Sequence, residues 1–310
     1  MKPFRKNVAI AIDGGGMRGV IVARALMILE RTLNRPLNQI FQLAAGTSTG
    51  SIIAAAVAAG LPALKIYQMY LDLGPAIFKK TLRSRLWPLM RYRYPAKPLA
   101  QALYNGLGDL VMGDFWKPDH TFDLVITAFD LKEERSCFIK PWKYQYQDWH
   151  LADAVQASCT VPTYFPPFNG RYVDGGVGSY ANPCYLAAYE AYYCLGWDPA
   201  ETTLISLGTG RAPQQFYHAD KLQAWQWLTP VLDAFGQSAQ DQQMHLVQNF
   251  FAELDFRRFQ VNLAQPIAMD DTGMIPRMAV YGDTLGRMLL SDQMDSVLDT
   301  IAKLAPQPLP

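Results

Sequence analysis

The sequence predicts an α/β fold: a mostly parallel central sheet flanked by helices in three layers, with a mainly helical C-terminal extension. Three observations support it. Apolar runs of strand length alternate with helix-like segments from Asn7 to Gly210, the order that builds a parallel sheet covered on both faces. Strand-like runs end in glycine-rich turns: DGGGMRG (13–19), GTSTG (46–50), DGG (174–176) and GTG (208–210). After residue 211 this alternation stops.

Each element follows from its residues. NVAIAI (7–12) reads as a strand and VIVARALMILERTLN (20–34) as the helix after its glycine turn. Residues 36–64 carry no charge. A membrane span needs about 20 predominantly apolar residues, but six small or polar ones, Gly46 to Ser51, interrupt this run. It divides better into a buried strand at 40–45, a tight turn at 46–50 and a helix at 51–59, ended by Gly60 with Pro62 beyond. Residues 121–129, 135–139, 171–174 and 202–210 read as further strands. LADAVQAS (151–158) is a short helix, and Asn182–Pro183 opens another. Helix at 220–253, a strand at 256–263 and an amphipathic helix at 291–304 complete the chain. No low-complexity linker divides 7–210 from 211–310, so the second part is expected to pack on the first as one unit.

Composition narrows the function. The net charge is +1, from 28 basic and 27 acidic residues, so no global field points to nucleic acid. Cys137, Cys159, Cys184 and Cys194 form no C-x-x-C pair, and the four histidines are scattered, which leaves no metal-site spacing. The cysteines are expected to be reduced core residues. The N-terminal apolar run is six residues, shorter than the roughly 7–15 of a secretory signal. The expected location is the cytoplasm, with at most peripheral membrane contact and neither signal peptide nor transmembrane span.

The motifs then supply chemistry. Gly14, Gly16 and Gly19 match G-x-G-x-x-G after a strand, the dinucleotide fingerprint. A nucleotide-binding oxidoreductase also needs an acidic residue near the end of the second strand. Residues 31–45 contain none, and no Lys-Ser/Thr pair closes a P-loop. The loop's other use is anion binding by backbone amides at a helix N-terminus, which suits an oxyanion. Arg18 would add positive charge or brace the loop. GTSTG, set between strand and helix, matches a nucleophile elbow with Ser48 at its apex; the plain alternative is a helix-capping serine. Asp174, in a D-G-G turn, is either an acid–base group or a turn residue. No histidine is a convincing base: His120, His150 and His218 fall in polar loops and His245 in a helical run.

DGGGMRG, GTSTG and VDGGV, in this order and at these distances, resemble the patatin-like phospholipase family. QASCTVPTYFPP (156–167), the Asn182–Pro183 helix start and ISLGTG (205–210) agree with it, so the likeness spans about residues 7–210. The resemblance implies an acyl hydrolase with a Ser–Asp dyad: Ser48 as nucleophile and Asp174 as base. Gly14, Gly15 and Gly16 would form the oxyanion hole with Arg18 as the motif's basic residue, and Gly19, Gly46, Gly50, Gly175 and Gly176 would support the motifs. It implies phospholipid or another lipid ester as substrate, with no metal or cofactor. A soluble carboxylesterase is the alternative with the same chemistry. Residues 78–97 hold Lys79, Lys80, Arg83, Arg85, Arg91, Arg93 and Lys97 among Phe78, Trp87, Tyr92 and Tyr94. This mixture suits an anionic membrane surface, or is a solvated insertion with no partner.

Overall fold

The structure, a computed structural model, describes residues 1–81, 84, 90–118, 120–213, 223 and 227–298. Among the described residues, the strands of the main sheet are β1 (Asn7–Ile12), β2 (Leu43–Thr47), β3 (Asp123–Asp130), β4 (Arg135–Ile139), β5 (Tyr172–Asp174), β6 (Thr202–Leu207) and β7 (Asp255–Phe259). They form one sheet in the order β4-β3-β2-β1-β6-β7, with β5 also paired to β3. β1, β2, β3, β6 and β7 are parallel, while β4 and β5 run against β3.

Among the described residues, the α-helices are α1 (Gly19–Leu33), α2 (Leu37–Ile40), α3 (Thr49–Ala58), α4 (Ala63–Ile77), α5 (Ala96–Leu107), α6 (Leu151–Cys159), α7 (Cys184–Tyr189), α8 (Leu228–Phe250) and α9 (Ile275–Ser291). Alternation along β1 divides the core. Val8, Ile10 and Ile12 face a large apolar layer shared with α1, α3, α6 and α9. Ala9 and Ala11 face a smaller one shared with α7 and α8. α9 lies against α1: a Cβ added at Gly282 would stand 2.5 Å from that of Arg24.

Several boundaries differ from the sequence reading. The strand expected at 40–45 occupies Leu43–Thr47, because Pro36 initiates α2 and Phe41 ends it. The sequence pattern marks none of α4, α5 and α9: Gly74 and Pro75 blur the pattern of α4, and α5 begins where the basic segment 78–97 ends. The helix expected from 291 does not begin there. Asp292 is left-handed and caps α9, and Asp295 pairs with Arg211; residues 299–304 lie outside the described set. Of the cysteines, Cys159 and Cys184 are buried, Cys137 is half-buried and Cys194 is exposed, all four being free. Among the described residues, no helix is long and apolar enough to cross a membrane.

At the start of β3, Asp123 is buried beside Glu190, which bonds Lys140 and accepts the Trp142 indole N–H at 3.0 Å. Burial, then the Glu190 charge, pushes the Asp123 carboxyl well above its usual value. A raised folded-state pKa contributes stability that is complete below the unfolded value and is lost as pH rises toward the folded one. Asp123→Asn removes that dependence. Its melting temperature relative to wild type is expected to climb between pH 5 and pH 8; a constant difference would show that Asp123 does not titrate as inferred.

Candidate active site

Gly46 and Thr47 end β2, and Thr49 and Gly50 already belong to α3. The turn expected over five residues therefore falls on Ser48 alone, with φ 54° and ψ −126°. Such a conformation costs a non-glycine residue of order 1–3 kcal/mol. Gly46 and Gly50 make the sharp reversal fit: a Cβ at Gly50 would lie 2.1 Å from the Ile12 carbonyl oxygen. The Ser48 N–H donates to Ser158 Oγ at 2.8 Å, and the Ser51 hydroxyl donates to the Ser48 carbonyl at 2.6 Å.

Asp174 arrives from the opposite direction. β2 pairs with β3 as far as Thr47–Thr127, and β5 pairs with β3 from Asp130–Tyr172 to Ala128–Asp174. The other edge of β3 is occupied by β4 over residues 126–130. β2 and β5 thus share one edge and meet end to end, at consecutive residues of β3. Gly175 is required at this junction, since a Cβ there would lie 2.1 Å from Thr127 Oγ1. β5 ends at Asp174 and, running antiparallel to β3, carries it toward Ser48.

Ser48 is 6% and Asp174 7% exposed. Asp174 Oδ1 accepts the Gly176 N–H at 2.8 Å, while Oδ2 is buried without a hydrogen-bond partner. Burial raises the carboxyl pKa to about 6, and the neighbouring Ser48 hydroxyl and the Gly176 amide hold it down. The hydroxyl thus lies beside the carboxyl group without the geometry of a full hydrogen bond. No histidine contributes to that shift. His150 packs on Tyr104 and His245 pairs with Asn249 on an exposed face. The His120 side chain and the whole of His218 lie outside the described residues.

The glycine loop crosses above Ser48, with the Gly14 Cβ position 3.3 Å from that of Ser48. One expectation needs correction. The Gly14 N–H donates to Ala181 O at 2.9 Å, so it has no proton to offer an oxyanion. Among the described residues the Gly15 and Gly16 amides make no hydrogen bond to the protein. Gly16 has φ +58°, and a Cβ there would lie 2.3 Å from the Met269 carbonyl oxygen. Gly19 packs against Thr49 and Tyr70. Arg18 braces rather than points into the site: Nε donates to Gly15 O at 3.3 Å and Nη1 to Gly210 O at 3.4 Å.

Residues with no sequence motif complete the frame. Arg258 in β7 is buried and pairs through both terminal nitrogens with Asp13, at 2.8 and 2.5 Å. Met269 O accepts the Met17 N–H at 2.7 Å. Asp270 binds Arg93 and accepts the Tyr94 hydroxyl, each at 2.7 Å. The aromatics expected to face lipid are partly turned inward, since Tyr94 is 2% exposed and packs with Phe78 and Phe165. Arg83, Arg85 and Trp87 lie outside the described residues. An apolar cavity opens at Ser48 and runs between Ile52, Met69, Ala102, Leu103 and Phe165.

A family model described as Patatin-like phospholipase matches residues 10–188. Patatin-like protein 2 of Arabidopsis thaliana is 29% identical over 290 residues, covering 75% of this chain and 69% of that protein. Patatin-like protein 1 of Oryza sativa subsp. indica is 28% identical over 317 residues, covering 84% and 75%. Among solved structures, VipD from Legionella pneumophila aligns with a TM-score of 0.48 at 13% identity, covering 94% of this chain and 67% of that one.

Breaking a buried ion pair strands one charge and typically costs about 3–5 kcal/mol. Arg258→Met is therefore expected to lower the urea midpoint by a corresponding amount, and Asp13→Asn combined with Arg258→Met to restore part of it. Equal midpoints in wild type and Arg258→Met would refute a structural role for the pair.

Proposed function

The chain belongs to the patatin-like phospholipase family, and from that premise we propose that it cleaves fatty-acyl esters of phospholipids through a Ser48–Asp174 dyad. Membership itself makes the protein a hydrolase of lipid ester bonds. The observation that most supports the finer reading is a strained serine beside a buried carboxyl group at the mouth of an apolar cavity. In water a carboxylate with a pKa near 4 is a feeble base. Burial brings Asp174 to about 6, nearer a working pH at which it is both ionised and basic.

The course follows from these positions. Asp174 takes the Ser48 proton as Oγ attacks the ester carbonyl carbon. The carbonyl oxygen becomes an oxyanion, held by the Gly15 and Gly16 amides and by the positive end of α3. The tetrahedral intermediate collapses, the C–O bond to the alcohol breaks, and the lysolipid leaves with the proton from Asp174. Water then attacks the acyl-enzyme, its proton passing to Asp174 and on to Ser48 Oγ as the fatty acid departs. The acyl chain lies in the cavity, whose wall includes Ala102.

Fatty acid released from mixed anionic and zwitterionic phospholipid vesicles, identified by mass spectrometry, tests this reading. Ser48→Ala and Asp174→Asn are expected to lose essentially all release, and Ala102→Phe to favour shorter chains. For wild type, kcat/KM should fall as pH drops through about 6. The same raised pKa makes Asp174 a stability burden at neutral pH, of the order of 3 kcal/mol, so Asp174→Asn should melt above wild type at pH 8. Release by Ser48→Ala would end the dyad proposal. Release of a short-chain chromogenic ester's acid without any from vesicles would favour a soluble carboxylesterase.

Membrane contact through residues 78–97 is the second part of the proposal. Arg93 is engaged by Asp270, which leaves Lys79, Lys80, Arg91 and Lys97 as its exposed charges among the described residues. Replacing these four with Glu is expected to weaken binding to anionic vesicles while sparing hydrolysis of a soluble ester. Unchanged vesicle binding would remove the segment from the account.

A further inference from the structure

Between them, Ser48 and Asp174 draw on one short segment that neither motif contains. The end of α6 and the residues after it, Ser158–Cys159–Thr160, are almost wholly buried, Ser158 and Thr160 at 0% exposure. Ser158 Oγ accepts the Ser48 N–H at 2.8 Å. The Thr160 carbonyl accepts the Asp174 N–H at 3.1 Å. The Thr160 hydroxyl bonds the Tyr172 carbonyl at 3.1 Å, two residues before Asp174. Cys159 Sγ lies 3.7 Å from Ser51 Oγ, whose hydroxyl holds the Ser48 carbonyl. One segment thus grips the elbow at both its amide and its carbonyl side, and the strand end that brings the base.

Ser158 departs from ordinary helix behaviour. A serine in a helix commonly bonds the carbonyl one turn back. Among the described residues Ser158 makes no such bond, and its one hydrogen bond is to the Ser48 amide. That amide belongs to a residue in an unfavourable conformation, and a buried N–H left unpaired is costly. Without the Ser158 oxygen, rotating the Ser48 peptide toward an ordinary conformation relieves strain and finds the amide another partner. That rotation moves Oγ away from Asp174.

From this geometry we infer that Ser158 is a positioning residue for the hydrolysis: its hydroxyl pins the Ser48 peptide so that Oγ faces Asp174. The inference rests on Ser48 and Asp174 being the reacting pair. Ser158 touches neither substrate nor transferred proton, so its loss should lower kcat with KM kept. The pH midpoint near 6, set by the burial of Asp174, should not move.

The test compares Ser158→Ala, Ser158→Thr and Ser158→Val in the full chain with p-nitrophenyl butyrate, and Ser48→Ala as the blank. Thr and Val have nearly the same shape, and only Thr keeps an oxygen acceptor. Ser158→Ala is expected to lower kcat by roughly 10–100-fold, in line with the cost of a misplacement near 1 Å, with KM and the pH midpoint unchanged. Ser158→Thr should recover much of kcat, and Ser158→Val should not. Equal kcat in the Thr and Val variants, wild-type kcat in Ser158→Ala, or a loss expressed in KM overturns the inference. Activity in Ser48→Ala would instead overturn the dyad on which it stands.

Discussion

The site depends on a single edge of β3 being shared by two strands that approach head-on. β2 climbs that edge to Thr127 and β5 descends it to Ala128. Neither can lengthen without displacing the other. The chain must therefore leave β2 abruptly at Ser48 and leave β5 at Asp174, directly into the Gly175 turn. The small junction residues, the strained serine and the dry carboxyl group all follow from that collision. Burial at the junction is also what separates the Asp174 pKa from that of an ordinary carboxylate.

The second constraint holds the glycine loop at a fixed height over this junction. Its amides are useful only if the loop does not collapse onto them. Thr209 takes the Gly14 carbonyl at 2.6 Å, Ala181 takes the Gly14 amide, and Met269 takes that of Met17. Asp13, just before the glycines, is fixed by Arg258. The family match ends at residue 188, yet Thr209, Arg258 and Met269 all lie beyond it. The later part of the chain thus contributes to the frame of the site.

What could be read from the sequence was the part written locally. Glycines at 14–16, 46, 50 and 175–176 mark close backbone approaches, and such approaches leave glycine little competition. The direction of β5 was not legible, because three residues carry no record of which neighbour they pair with. The roles of Ser158, which lies within the QASCTVPTYFPP stretch, and of Arg258 were not legible for a related reason. Each acts on a residue more than a hundred positions away, and a lone serine or arginine has no periodic signature. α9 shows a subtler failure. Gly282 and Gly286 look like helix breakers, but they are where the helix meets Arg24 and Ile28 of α1.

The sheet order also sets when this protein can exist as an enzyme. β1 is made well before β6, the strand that covers its second edge, with Asn7 opposite Thr202. At translation rates of about 5–20 residues per second, β1 waits roughly 10–40 s on the ribosome for that partner. The glycine loop above Ser48 waits longer still, for Arg258 and Met269. The glycine loop of this lipid acyl hydrolase is thereby fixed only once β7 and Met269 have been synthesised.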